Sequence, residues 1–157
     1  MTARAWSRPP AAGIDPRFAP YAALLLRVAL GIVFVAHAWL KATGLTLPGT
    51  AAFFEAHGFP GWAAYPVFAV ELLGGLALIA GWRTRPVAAV LTGVVLGAFR
   101  VHWDNGWYFA QPEGGWEYLA VLVAGLMAVA LLGPGAPALS ATRGSPRAAP
   151  PGSSSRT

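Results

Sequence analysis

Apolar positions fall into four long runs, roughly Tyr21–Lys41, Gly61–Gly81, Thr84–Trp103 and Trp116–Gly133, and polar residues gather between them and at both ends. Each run is about 18–21 residues, which at about 1.5 Å per residue approaches the roughly 30 Å of a bilayer hydrocarbon core. The runs are apolar nearly all round, unlike the one-sided helices of soluble proteins. The pattern predicts an all-α polytopic membrane protein, a four-transmembrane-helix bundle. Between the first two runs, Pro48–Gly58 includes Thr50, Phe53, Phe54 and Glu55. It predicts a short outer interfacial helix with both phenylalanines turned to lipid. The membrane domain spans 21–133. An N-terminal tail, 1–20, lacks the apolar run and cleavage site of a signal peptide, so the first run would act as an uncleaved anchor. The C-terminal tail, 134–157, is rich in Pro, Ala, Gly and Ser and reads as disordered.

Composition supports this reading. Of 157 residues, 56% are hydrophobic and 11% are charged, where soluble proteins average roughly 25% charged. Cysteine is absent, which excludes disulfides, dithiol redox motifs, cysteine-ligated clusters and c-type haem. Chemistry through a bound quinone, flavin or bis-histidine haem remains open. Three histidines leave few ligands, and no protein metal site is expected.

The formal charge of +5 invites a nucleic-acid partner, but its placement argues against one. Arg4, Arg8, Arg17, Arg83, Arg85, Arg143, Arg147 and Arg156 all lie in the tails or the turn between the second and third runs. Glu55, Asp104, Glu113 and Glu117 fall on the opposite side. The positive-inside rule then puts both termini in the cytoplasm, and an even number of spans agrees. Trp62, Tyr65, Trp103, Trp107, Tyr108, Trp116 and Tyr118 gather at the predicted outer interface, the depth amphipathic rings prefer. Arginine outnumbers lysine, and Ala, Gly and Pro are abundant, which suggests a GC-rich bacterial genome and hence a bacterial plasma membrane.

Ionisable groups inside a bilayer cost roughly 2.5–3.5 kcal/mol on insertion scales, so they face the protein interior and find partners. Arg27, His37 and Glu71 stand out. Measured from the cytoplasmic edge, they lie about 9, 24 and 15 Å deep at the helical rise. At about 100° per residue, Arg27, His37 and Lys41 share an arc of roughly 80°. Gly74 and Gly75 beside Glu71 would let the first span approach. The simplest arrangement is a buried Arg27–Glu71 pair with His37 above it and Lys41 at the rim. Arg27 could instead snorkel to the interface. Glu71 is either neutral or paired, and a pair could be a structural staple or part of a proton or quinone site. His37 reads as a packing residue or a ligand. Haem ligation by His37 and His102 is geometrically conceivable, but nothing else in the chain supports haem. His57 decorates the interfacial helix.

At the outer end, Lys41, Arg100, His102, Asp104, Asn105, Glu113 and Glu117 form a second polar cluster. It could bind a polar headgroup such as a quinone ring or dock a protein; the plainer reading is a solvated rim. Gly114 and Gly115 let the chain turn sharply into the fourth run. Gly93 and Gly97 form a G-x-x-x-G pair, read as helix packing or as chance.

Taken in order, several motifs resemble the DoxX family of small four-span bacterial membrane proteins. They are Leu26–Gly31 with Arg27, then His37 and Lys41, Phe53–Phe54, Gly58–Pro60, Glu71–Gly75 and Gly81–Arg85. His102, Asn105–Gly106 and Gly114–Tyr118 complete the set. The similarity covers about Tyr21 to Gly133. It implies a four-helix membrane bundle and a loose link to redox systems, in which many members have no assigned reaction. Trp39 departs from the family pattern and is expected to narrow the outer mouth.

The leading expectation is a quinone-linked or accessory subunit of a membrane oxidoreductase system. Electrons would come from a bound cofactor or a redox-enzyme partner. The alternatives are a non-catalytic scaffold anchoring soluble redox or stress enzymes, and a small transporter working as a homo-oligomer.

Overall fold

The computed structural model describes residues 15–112 and 114–138, and among them it contains helices and no strand. The helices are α1 (Ala19–Thr43), α2 (Leu47–Ala56), α3 (Ala64–Ala80), α4 (Thr84–His102) and α5 (Glu117–Leu132). Single 3-10 turns at Gly61–Ala63 and Trp103–Asn105 precede α3 and follow α4.

Local chemistry sets the boundaries. Pro20 opens α1, where its missing N–H costs nothing. Thr46 caps α2 by accepting from the Gly49 N–H at 3.2 Å. Gly81 ends α3 in the left-handed region, at φ 71°, and the Trp82 N–H bonds back to the Ala77 carbonyl at 2.9 Å. That stop lets α4 begin at Thr84 and run back antiparallel.

Among the described residues, three stretches are long and apolar enough to cross a membrane: Ala19–Thr43, Gly61–Ala80 and Thr84–Asn105. The fourth expected run forms α5, an apolar helix of 16 residues, or about 24 Å at the helical rise. It is shorter than the expected Trp116–Gly133 run because Trp116 belongs to the preceding loop and Gly133 ends the helix at φ 84°.

α1 packs on α3, α3 on α4, α4 on α5 and α5 on α1, which closes a ring of four antiparallel helices. Leu30, Phe34, Leu78, Leu91, Val95 and Leu126 fill its centre. The closest approach is α1 to α3. A Cβ on Gly31 would lie 2.7 Å from the Gly75 carbonyl oxygen, and one on Gly75 would lie 2.8 Å from the Gly31 oxygen. Gly75 therefore does what its place beside Glu71 suggested, whereas Gly74 faces Leu91 of α4.

The described chain begins and ends at the same end of the ring, here the terminal end, where the Ala136 N–H donates to the Pro20 carbonyl at 3.2 Å. Residues 134–138, expected in the disordered tail, are held there. The rest of both tails, with Arg4, Arg8, Arg143, Arg147 and Arg156, lies outside the described residues. α2 crosses the other, distal end and touches α3 and α1.

Candidate functional site

At the distal end the ring opens into a cavity of about 740 Å³, within the size range of small-molecule sites. Its walls are mostly valine, glycine, alanine and phenylalanine, and its polar side chains are His37, Lys41, Glu71, His102 and Tyr118. Few polar groups converging in an apolar cleft is the usual composition of a ligand site.

Lys41 Nζ donates to Glu71 Oε2 at 2.6 Å, and both side chains are largely buried, at 16% and 7% exposed. The carboxylate is thus paired, and its partner is Lys41. The expected Arg27–Glu71 pair is not formed. Arg27 is 2% exposed and turns to the terminal end. There its Nη1 donates to the Leu78 and Ile79 carbonyls at 2.5 and 2.6 Å, and its Nε donates to Pro134 at 2.7 Å. Nη2 donates to the Pro137 carbonyl.

The reason lies in side-chain direction. Helical side chains lean toward their own N-terminus. On α1 that carries Arg27 away from mid-membrane, toward the last carbonyls of α3, which are unpaired within the helix and sit at the negative end of its dipole. The same lean carries Lys41 down from the rim. On α3, which runs the other way, it carries Glu71 up to meet it.

His37 Nδ1 lies 2.9 Å from the Val33 carbonyl of its own helix. A carbonyl only accepts, so Nδ1 carries the proton and Nε2 is the acceptor of the neutral ring. The His37 ring stacks on Tyr118, with centroids 6.0 Å apart at 16°. His102 Nδ1 bonds the Gly114 carbonyl at 3.0 Å, and Asn105 Nδ2 donates to the same oxygen at 3.0 Å. These two side chains pin the loop between α4 and α5 beside the cavity.

That loop is tightly constrained. Gly114 has φ 71°, and a Cβ on Gly115 would strike the Trp107 and Tyr108 carbonyls, so the expected sharp turn depends on both glycines. Trp116 anchors it, stacked on Trp103 at 5.4 Å and edge-on to Trp107 at 4.5 Å. Phe109, from the same loop, contacts Tyr118 at 5.8 Å and lines the cavity.

The two expected clusters are therefore redistributed. His37 and Glu71 join Lys41 and His102 at one cavity, and Arg27 is elsewhere. Asn105 braces the loop. Arg100, Asp104 and Glu117 do not line the cavity, and Glu113 lies outside the described residues. Phe53 and Phe54 were expected to face lipid; both line the cavity, and Phe53 is also 43% exposed. Phe54 is half-buried against Phe59, at 6.0 Å, because α2 folds back over the distal end. His57 is exposed and sits at the end of α2, bonded to the Phe53 carbonyl at 2.8 Å. Trp39 is 70% exposed on the outer surface of α1, so it does not narrow the mouth.

Gly93 and Gly97 are not a packing pair. Nothing lies within 4 Å of a Cβ placed on either, and both line the cavity. Tyr118, expected at the outer interface, lines the cavity. Its place follows from α5 running antiparallel to α1, a pairing that spacing along the chain does not reveal.

The family model described as DoxX matches residues 22–103, and the match takes in α1 through α4 with Lys41, Glu71, His37 and His102. The chain belongs to the DoxX family. Two curated relatives are similar to it. "Inner membrane protein YqjF" of Escherichia coli (strain K12) is 34% identical over 116 residues, covering 72% of this chain and 85% of that protein. "Putative oxidoreductase CatD" of Bacillus subtilis (strain 168) is 40% identical over 75 residues, covering 48% of this chain and 54% of that protein. The chain thus spans about half the length of CatD. No solved structure matches. The inner-membrane relative, the DoxX membership and the apolar helices make this a membrane protein. Within the DoxX chain, Tyr118, Gly114 and Gly115 lie beyond the segment that the family model matches.

Proposed function

We propose that this DoxX protein is a quinone-binding component of a membrane oxidoreductase system. One observation carries the reading: a large apolar cavity with a buried Lys41–Glu71 pair, His37, His102 and Tyr118 at it. A quinone head is a flat apolar ring with carbonyl acceptors on its rim, and these residues fit it. The Lys41 ammonium and the Tyr118 hydroxyl are donors suited to ring oxygens, and His37 Nε2 is an acceptor suited to a hydroxyl. The phenylalanines and valines around them match the ring faces and exclude water.

A bound quinone supplies two-electron, two-proton chemistry. The chain's own part is to orient the head and to hold protons at Lys41, Glu71 and His37. Without a cysteine anywhere, electrons would reach the site from a partner redox protein. The name of the CatD relative, an oxidoreductase, is in keeping with this role.

We further infer that α5 is a fourth crossing and that both termini are cytoplasmic, from the ring packing and the arginine-rich terminal end. Reporter fusions at the two ends should then report the same, cytoplasmic compartment.

The functional reading is tested by solvent extraction of protein purified in mild detergent, with the extract identified by mass spectrometry. Wild type should carry a quinone well above the amount in a control membrane protein prepared in parallel. Glu71→Gln and His37→Ala should lose it. Equal quinone in all preparations would reject the site.

A further inference from the structure

The head-binding residues occupy only part of the cavity. Along α4 its lining runs from His102 back to Val90, about 18 Å at the helical rise. The ionisable side chains His37, Lys41, Glu71 and His102 belong to the distal half, whereas the Val90 end is apolar. Val90, Val94, Gly97 and Val101 follow each other at helical spacing on the flank of α4 that faces α3.

α3 and α4 touch at Gly74 and Leu91, where a Cβ on Gly74 would be 3.0 Å from Leu91. Beyond that contact the cavity lies between them, with Val67 and Glu71 on one wall and Val94 and Gly97 on the other. Val90 and Gly93 both line the cavity and are exposed on the outer surface of the bundle. α4 stretches over residues long and apolar enough to cross a membrane, so that surface faces acyl chains. The cavity is thus open sideways to lipid at its apolar end.

We propose that the ligand is a lipid-soluble, long-tailed quinone that enters laterally between α3 and α4. Its tail lies along the Gly93–Gly97 flank and leaves the bundle past Val90. This deepens the reading of the preceding subsection and rests on it. The absent side chains at Gly93 and Gly97 make the channel: with nothing within 4 Å of either Cβ position, the room there is left by neither core packing nor a neighbouring helix. A water-soluble redox compound would need no such exit. A second copy of the chain docked on this flank would meet a recess continuous with the head site rather than a closed surface.

The test uses full-length protein in lipid nanodiscs and two quinones with the same ring, one with a short alkyl group and one with a long isoprenoid tail. Gly93→Leu and Gly97→Leu fill open space and should fold. They should weaken the long-tailed quinone about tenfold or more and leave the short one within about twofold. Equal loss of both, or loss of neither, overturns the tail channel while wild-type binding upholds the head site. Failure of wild type to bind either quinone removes both. A second measurement needs no variant. A quinone with a photoreactive diazirine partway along its tail, on the stretch that spans the channel, should label the α4 peptide covering residues 90–97 in wild type. Labelling confined to α2 or to the α4–α5 loop overturns the proposal.

Discussion

Lys41 and Glu71 illustrate how a charge survives in a nearly apolar bundle. The pair is formed at 2.6 Å, and removing one partner leaves the other charged and away from water, a loss of about 3–5 kcal/mol. Lys41→Met and Glu71→Leu should therefore each destabilise strongly. The double variant should recover a coupling of about 2 kcal/mol relative to the sum of the singles, read from unfolding in detergent. Arg27 behaves differently, because its four acceptors are backbone carbonyls. Arg27→Leu should cost about 3 kcal/mol through lost charge-assisted bonds and orphaned carbonyls. Amide hydrogen exchange should rise at residues 135, 136 and 138 and stay unchanged around Glu71. A rise around Glu71 instead would point to an Arg27–Glu71 pair in place of the Lys41–Glu71 one. The burial of Arg27 and Glu71 was legible in the sequence, since ionisable groups in apolar runs face the protein interior. Their partners were not. Depth alone puts Glu71 about 6 Å from Arg27 and about 15 Å from Lys41, which favours the wrong base; the pairing follows from the opposite lean of side chains on antiparallel helices.

Among the elements, the glycines divide into two kinds that look alike in sequence. Gly31 and Gly75 are each other's neighbours across α1 and α3, and a side chain there collides with backbone, which cannot yield. Gly31→Val and Gly75→Val should force the helices apart and sharply lower the folded yield. Gly93→Ala and Gly97→Ala should leave unfolding within about 0.5 kcal/mol or raise stability slightly, since alanine is the better helix former. Equal damage at both pairs would contradict the packing described here. The G-x-x-x-G spacing of Gly93 and Gly97 was open to packing or to chance, and chance holds, because spacing reports a smooth helix face and says nothing of what covers it. The runs themselves were read to within a few residues, Tyr21–Lys41 becoming Ala19–Thr43 and Thr84–Trp103 becoming Thr84–His102, because hydropathy and punctuation by Gly and Pro are local signals. α2 was also anticipated, but not its fold back over the cavity, which depends on contacts distant in sequence.

For the whole molecule, the ring of helices separates two tasks. The terminal end is sealed, with Arg27 tying α1, the end of α3 and the chain after α5 together. The distal end is left open, and the chain's buried carboxylate, two of its histidines and a tyrosine face into the opening. The most direct test is a titration of the purified protein in nanodiscs with a short-chain quinone, followed by quenching of tryptophan fluorescence against empty-site variants. Saturable quenching at one quinone per chain, abolished in Glu71→Gln and His37→Ala, is the expected result. Quenching that rises without saturation and is identical in wild type and variants would mean that the quinone only partitions into lipid, and would contradict the account.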